Sequence, residues 1–337
     1  MLLHHILGTA LQVAAERGSI ELVQILLDAG ADVNTPTSDY MSTALQAAVQ
    51  KRNIELAQIL LNAGANVNIP AKNGRMTVLR EAVEMENIEL AQSLLRAGAD
   101  VNAFPTLLTA VRKGNTKLAQ ILLDAGADVD ASTFNEGTAL QAAARSGSIK
   151  LVQILLDADA DVNATAADYW GRTALGTALG TALQEATGSG SVELVQILLD
   201  AGADVNAPPA DDRGRTALQN AVEAGNIELA RILLNSGADI NAPPANCSGV
   251  TALQMAAIKG HIGIAEMLLN ANADVNAAAA RKDGRTALEG AAEHGRIDMV
   301  QLLLNTGAST QSTRALELAA ENGHNAVTRL IKTSLNR

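Results

Sequence analysis

The acidic runs of this chain come closest, in residue type and spacing, to a chemical site. Asp28, Asp32 and Asn34 form a D-x-x-x-D-x-N pattern that returns in nearly every segment of the sequence. Clustered carboxylate and amide oxygens are the ligands a hard divalent cation takes. The pattern lacks the internal glycine and distal glutamate of an EF-hand loop, so it reads as side chains tying turn backbone together. The histidines, His4, His5, His261, His294 and His324, show no H-E-x-x-H or other ligand spacing and read as solvated or packed side chains. Cys247, in Ala245-Asn246-Cys247-Ser248-Gly249, has no neighbouring histidine or obvious base and reads as an unactivated thiol. No Ser-His-Asp or paired-carboxylate arrangement has a context that singles it out. The expectation is a chain that is not an enzyme and has no metal and no cofactor.

Composition narrows what could position any site. The chain has 337 residues, 36 acidic and 25 basic side chains, a net charge of −11 and one cysteine. Its aromatic residues are one Trp, two Tyr and two Phe. Several compact cores would normally draw on many more aromatics, so Ala, Leu, Val and Ile must fill the interior. A single cysteine excludes a disulfide framework and a Cys-based zinc site, and fits a reducing compartment. The acidic balance argues against nucleic acid or an anionic membrane surface as partner. No apolar run approaches the roughly 20 residues needed to cross a bilayer. The apolar start, Met1 to Leu7, runs straight into Thr9-Ala10-Leu11-Gln12, which recurs later as structure, so it is not read as a secretory signal.

That recurrence organises the chain. The segment from Thr9 to Asn34 returns with anchors at Thr9, Thr43, Thr77, Thr138, Thr181, Thr216, Thr251 and Thr286, and with degenerate anchors at Pro105 and Arg314. Successive spacings are 34, 34, 28, 33, 43, 35, 35, 35 and 28 residues. Within one unit, Ala10, Leu11, Ala14 and Ala15 fall at helical spacing and predict a short helix with a small-residue face. Gly18 ends it and supplies the positive φ needed to reverse the chain. Ile20, Leu22, Val23, Ile25, Leu26 and Leu27 predict a second, more apolar helix that Gly30 ends. One helix pair cannot bury this surface alone, so stability must come from stacking. Residues 1–337 are therefore read as one domain of ten repeats.

The unit resembles the ankyrin repeat, a helix-turn-helix unit of about 33 residues with a β-turn and a T-P-L-H-x-A-A signature. Here the signature reads T-A-L-Q-x-A-A, a dialect similar to the arrays of large fungal proteins. The resemblance implies an all-α ankyrin-repeat α-solenoid with short β-hairpin or turn fingers between helix pairs. In that family Pro starts the first helix and His ties adjacent repeats together. Gln12, Gln46, Gln141, Gln184, Gln219 and Gln254 stand in the His place; glutamine both donates and accepts, and is expected to do the same. The resemblance also implies a non-catalytic scaffold whose fingers and first helices form a concave face for a protein partner, in the cytoplasm or the nucleus.

Several residues then become candidates for that face. Tyr40, Phe104, Phe134, Tyr169 and Trp170 all fall in inter-repeat segments, where aromatics are preferred anchors of binding surfaces. The alternative is that each covers the edge of its own repeat. Arg52 and Glu86 replace the glycine that closes a first helix, at a cost on the order of 1 kcal/mol, and both project near the groove. Thr173 to Gly180 duplicates T-A-L-G before Thr181 and lengthens one unit to 43 residues, as a helical extension or a looped-out insertion. The 28-residue unit after Thr77 lacks a full finger and leaves Phe104-Pro105 beside a notch. These features place the expected site over the third to sixth repeats, with Tyr40, Arg52, Arg80, Phe104, Arg112, Lys113, Phe134, Arg145, Tyr169, Trp170, Arg172 and Glu185 as partner-binding residues.

Charge adds polarity. First helices from Thr9 to Gly147 carry seven basic and four acidic residues, those from Thr181 to Gly323 two and six, so an extended partner of matching asymmetry would be oriented. A small-molecule or enzymatic pocket near Trp170, using Asp168, Tyr169, Trp170, Arg172 and Glu185, is the alternative reading, although nothing orders these residues into a mechanism. At the C-terminus, Val327, Leu330 and Ile331 sit among polar residues as a closing helix. At the N-terminus, Leu2, Leu3, Ile6 and Leu7 predict either an array joined to something longer or a self-associating end on an otherwise monomeric protein.

Overall fold

The structure is a computed structural model that describes residues 2–35, 43–70, 77–133, 137–164, 181–208, 215–243, 249–280, 284–311 and 313–335. The chain divides into two compact units, residues 1–132 with 153–159, and residues 133–152 with 160–337. The first unit contains α1 (Leu2–Glu16), α2 (Ile20–Asp28), α3 (Ala44–Gln50), α4 (Ile54–Asn62), α5 (Val78–Glu84), α6 (Ile88–Arg96), α7 (Thr106–Arg112) and α8 (Thr116–Asp124). The second begins with α9 (Ala139–Arg145), and the division falls within α10 (Ile149–Asp157). It continues with α11 (Ala182–Ser189), α12 (Val192–Asp200), α13 (Ala217–Glu223), α14 (Ile227–Asn235) and α15 (Ala252–Lys259). Then come α16 (Ile262–Asn270), α17 (Ala287–Glu293), α18 (Ile297–Asn305), α19 (Arg314–Glu321) and α20 (Asn325–Leu335).

Helix starts follow the anchors. The Thr43 hydroxyl accepts from the Gln46 N–H at 3.3 Å, and Gln46 Oε1 accepts from the Thr43 N–H at 2.9 Å. This reciprocal box satisfies two of the amides that a helix start leaves without partners. It recurs at Thr138, Thr181, Thr216, Thr251 and, with Glu289 in the glutamine place, at Thr286. Four anchors depart from it: Thr77 caps α5 through its hydroxyl alone, with Arg80 in the glutamine place, Pro105 precedes α7 with no side-chain cap, and the first and last repeats differ as well. Thr9 lies inside α1, which begins at Leu2 and runs through Gly8, so the first repeat starts earlier than its anchor. At the last repeat Thr313 precedes α19 and Arg314 is its first helical residue.

Stacking hides the surface that each pair exposes. In the first unit α1, α3, α5 and α7 pack in succession, as do α4, α6 and α8; in the second, α9 through α19 and α12 through α20 do the same in alternation. Leu11, Ala14 and Ala15 are buried, and so are Leu56 and Leu60, Leu90 and Leu94, Leu194 and Leu198 of the second helices. Each such leucine contributes roughly 1.5–3 kcal/mol when fully buried. Val327 and Ile331 of α20 are buried while Arg329 and Lys332 face solvent. The expected fingers fall mostly outside the described residues. Among the described ones there is an antiparallel bridge between Thr133 and Gly137 and no strand. Neither is any described helix long and apolar enough to cross a membrane.

Candidate functional site

The D-x-N turns form a ladder of hydrogen bonds. Asp32 Oδ1 accepts from the Asn34 N–H at 2.9 Å; Asn34 Nδ2 donates to the Gly64 carbonyl, and its Oδ1 accepts from the Asn66 N–H. Asn68 and Asn102 repeat this in the first unit, and Asn163, Asn206, Asn241 and Asn276 in the second. Of the carboxylates that looked cation-like, Asp32 therefore binds a backbone amide, and Asp28 Oδ1 accepts from Gln24 Nε2 at 3.0 Å. Among the described residues no group of three or more His, Cys, Asp or Glu is placed to hold a metal. His294 Nδ1 lies 3.0 Å from the Gly290 carbonyl and His324 Nε2 lies 3.0 Å from the Glu293 carbonyl, both packed roles.

In the first unit the candidate charges meet one another. Glu84 lies 3.2 Å from Lys113 on the next first helix and 3.9 Å from Arg80 on its own. The Arg80 guanidinium sits over the Phe104 ring, 5.7 Å from its centroid, an arrangement worth about 0.5–1 kcal/mol at exposed sites. Glu84 thus meets both Arg80 and Lys113, and Arg80 in turn meets Phe104. Arg52, in the turn after α3, and Arg112, at the end of α7, are exposed. Arg52 and Glu86 do adopt the left-handed conformation of the glycines they replace, at φ 58° and 54°, and Glu86 Oε2 accepts from Asn115 Nδ2 at 3.2 Å.

In the second unit Arg145 forms a two-pronged pair with Glu185, at 2.9 and 3.0 Å. Glu223 takes both Arg215, at 3.1 Å, and Lys259 from the next repeat, at 3.5 Å. Arg285 pairs with Glu293 at 2.8 Å. Sequence reasoning missed Arg215 and Arg285 because they precede their anchors, although the recurrent Gly-Arg-Thr of Gly214 to Thr216 and Gly284 to Thr286 marks them. They lessen the negative excess expected for the later first helices. Tyr40, Phe134, Asp168, Tyr169, Trp170, Arg172, the Thr173–Gly180 duplication and Cys247 lie outside the described residues.

The family model for ankyrin repeats in sets of three copies matches residues 11–105, 79–166, 107–208, 175–244, 210–279 and 243–314. These overlapping matches cover most of the chain, and the protein belongs to the ankyrin-repeat family. The family's members are generally protein–protein interaction modules and typically non-enzymatic. No curated protein matches the chain in a sequence comparison.

Proposed function

We propose that the chain is a non-catalytic scaffold that binds a protein partner along its inter-repeat turns and first helices, as the recognition part of a larger protein. The observation that carries this reading is the succession of ankyrin matches from residue 11 to residue 314. Surface charges set in fixed pairs, such as Arg145 with Glu185, give such a row a defined pattern for a partner to match. The partner-binding residues are Tyr40, Arg52, Arg80, Phe104, Arg112, Lys113, Phe134, Arg145, Tyr169, Trp170, Arg172 and Glu185. Affinity capture from native lysate, with Tyr40, Phe134 and Trp170 changed together to Ala, tests the reading. Loss of a specifically captured protein supports it; undiminished capture rejects these aromatics as the site, and no capture at all rejects the scaffold.

The ten anchored repeats of residues 1–337 are proposed to act as one domain, for which a single calorimetric transition is the test. The protein is proposed to be a monomer with one self-associating end. Leu22 and Ile25 of α2 are 44% and 63% exposed, whereas Leu56 and Leu90, which match Leu22 in the next two repeats, are buried. Light scattering across a concentration series reads this directly, and a Leu22→Glu, Ile25→Glu variant should abolish any association.

A further inference from the structure

Each second helix has one side that the repeat before it covers, and α2 leaves that side open. Leu56 and Leu60 of α4, Leu194 and Leu198 of α12, and Val327 and Ile331 of α20 are at most 2% exposed. The equivalent Leu22 of α2 is 44% exposed and Leu26 is half-buried, whereas Val23, turned towards the next repeat, is fully buried. The first helices agree, since Val13 of α1 is exposed and its equivalent in α19, Leu318, is buried. The opposite side is open on α19 and α20. Ala320 is exposed and Leu316 half-buried, where the equivalent Ala15 and Leu11 of α1 are fully buried. Lys332 is exposed, where the equivalent Leu27 is half-buried.

The two open sides are matched in charge by a rule that the chain already uses. Glu84, seven residues after the Thr77 anchor, lies 3.2 Å from Lys113, eight residues after the next anchor, Pro105. Glu223, seven residues after Thr216, lies 3.5 Å from Lys259, eight residues after Thr251. Glu16 stands in the same place and is instead taken up by Gln12 Nε2 of its own helix, at 3.1 Å. On the open sides, Glu321 stands seven residues after Arg314, and Arg17 stands eight residues after Thr9. Both are exposed, and neither joins an ion pair among the described residues. The second helices oppose each other in the same way. α20 exposes Arg329 and Lys332, and α2 exposes Glu21 and Asp28.

We infer that the chain binds a second copy of itself head to tail, with α19 and α20 of one copy covering α1 and α2 of the next and Glu321 paired with Arg17 across the junction. The inference rests on the self-association reading above and assigns the surface that the α2 end meets. Polarity selects that surface. Two α2 sides placed together would bury Leu22 and Ile25, but would also bring Glu21 and Asp28 of both copies into one interface, where like charges repel. α20 brings cations to those carboxylates, and the Lys332 stem can lie on apolar surface while its ammonium stays in water. Leu316 and Ala320 add apolar area. The two contacting surfaces differ, so the contact is heterologous and continues beyond two copies. The stacking that stabilises repeats within one chain then acts between chains.

Analytical ultracentrifugation of the 337-residue chain tests this. Species larger than a dimer should grow with protein concentration and recede in high salt. A head variant, Leu22→Glu with Ile25→Glu, and a tail variant, Arg329→Glu with Lys332→Glu, should each stay monomeric alone. Mixed, they should form a complex of two, because each keeps one intact surface. Arg17→Glu should weaken association about fivefold, the upper range for an exposed ion pair, and Glu321→Arg added to the same chain should restore it. A double swap that restores nothing would overturn the Glu321 and Arg17 contact. A tail variant that still dimerises would mean that α2 sides meet each other; it would overturn the head-to-tail geometry and leave the self-association reading standing. An unmodified chain that stays monomeric at every concentration would sink both.

Discussion

Replacing Arg52 by glycine should stabilise the protein, although it deletes a large side chain. α3 ends at Gln50, and the chain reverses with the Arg52 N–H donating to the Val49 carbonyl at 2.9 Å. Arg52 sits at φ 58°, where Gly18 and Gly114 sit at 70° and 71° in their own repeats. A side chain in this left-handed region costs about 1–2 kcal/mol. Glycine returns about 0.5–1 kcal/mol of that through the freedom it adds to the unfolded chain. Arg52→Gly should therefore gain about 0.5–1 kcal/mol. The mirror experiment is Gly114→Ala. A Cβ at 114 would meet nothing within 4 Å, so the change isolates the backbone term and should cost about 1 kcal/mol. For 337 residues melting together 1 kcal/mol corresponds to about 1–2 °C, readable by calorimetry. An Arg52→Gly variant that melts lower, or a Gly114→Ala variant that melts unchanged, would refute the reasoning. Capture of the partner by Arg52→Gly gives a second reading. A variant both more stable and weaker in binding would mean that the strain is held for recognition.

Gln46→Ala removes the acceptor for the Thr43 N–H and the donor to the Ile69 carbonyl, and should cost about 2 kcal/mol in urea denaturation. Gln219→Ala gives up only the Thr216 contact and should cost about 1 kcal/mol less than Gln46→Ala. Gly225→Ala should destabilise more than Gly114→Ala, because its Cβ would lie 2.8 Å from His261 Cε1; a second change, His261→Ala, should bring the two costs together. Glu185→Gln breaks the pair with Arg145, whose side chain is 43% exposed, and should cost under about 1 kcal/mol, less still in high salt. A larger, salt-independent loss would mean that the pair fixes the packing of α9 on α11.

What the sequence makes legible is what one repeat decides for itself. Thr43 caps a helix because a hydroxyl at that place can reach the amide three residues on. Gln46 was expected to tie adjacent repeats together because it both donates and accepts; it does both, but to Thr43 and Ile69 of its own repeat, because the capping box and the turn after the second helix are what its amide reaches. The Asp32 and Asn34 turn was expected to be structural, and its oxygens do bind backbone amides. Each of these needs only local spacing and a partner type that recurs. The pairing of Arg145 with Glu185, 40 positions away, needs the register of one first helix against the next, and the duplicated T-A-L-G lies between them. Phe104 under Arg80 needs the same lateral register. Arg215 and Arg285 escaped notice because the helix was counted from its cap, and their contacts reach forward from the residue before it.

The glutamines carry this distinction furthest. Gln184, Gln219 and Gln254 stand in the same four letters, Thr-Ala-Leu-Gln, with the same capping contact. Two of them find two carbonyls each, and the third finds none among the described residues. The turns that follow in the repeats of Gln184 and Gln219 are themselves alike, since Asn206-Ala207-Pro208-Pro209 and Asn241-Ala242-Pro243-Pro244 read identically, whereas that of Gln254 reads Asn276-Ala277-Ala278-Ala279. A stacked array can repeat its stabilising contacts unit by unit and still differ at one of them.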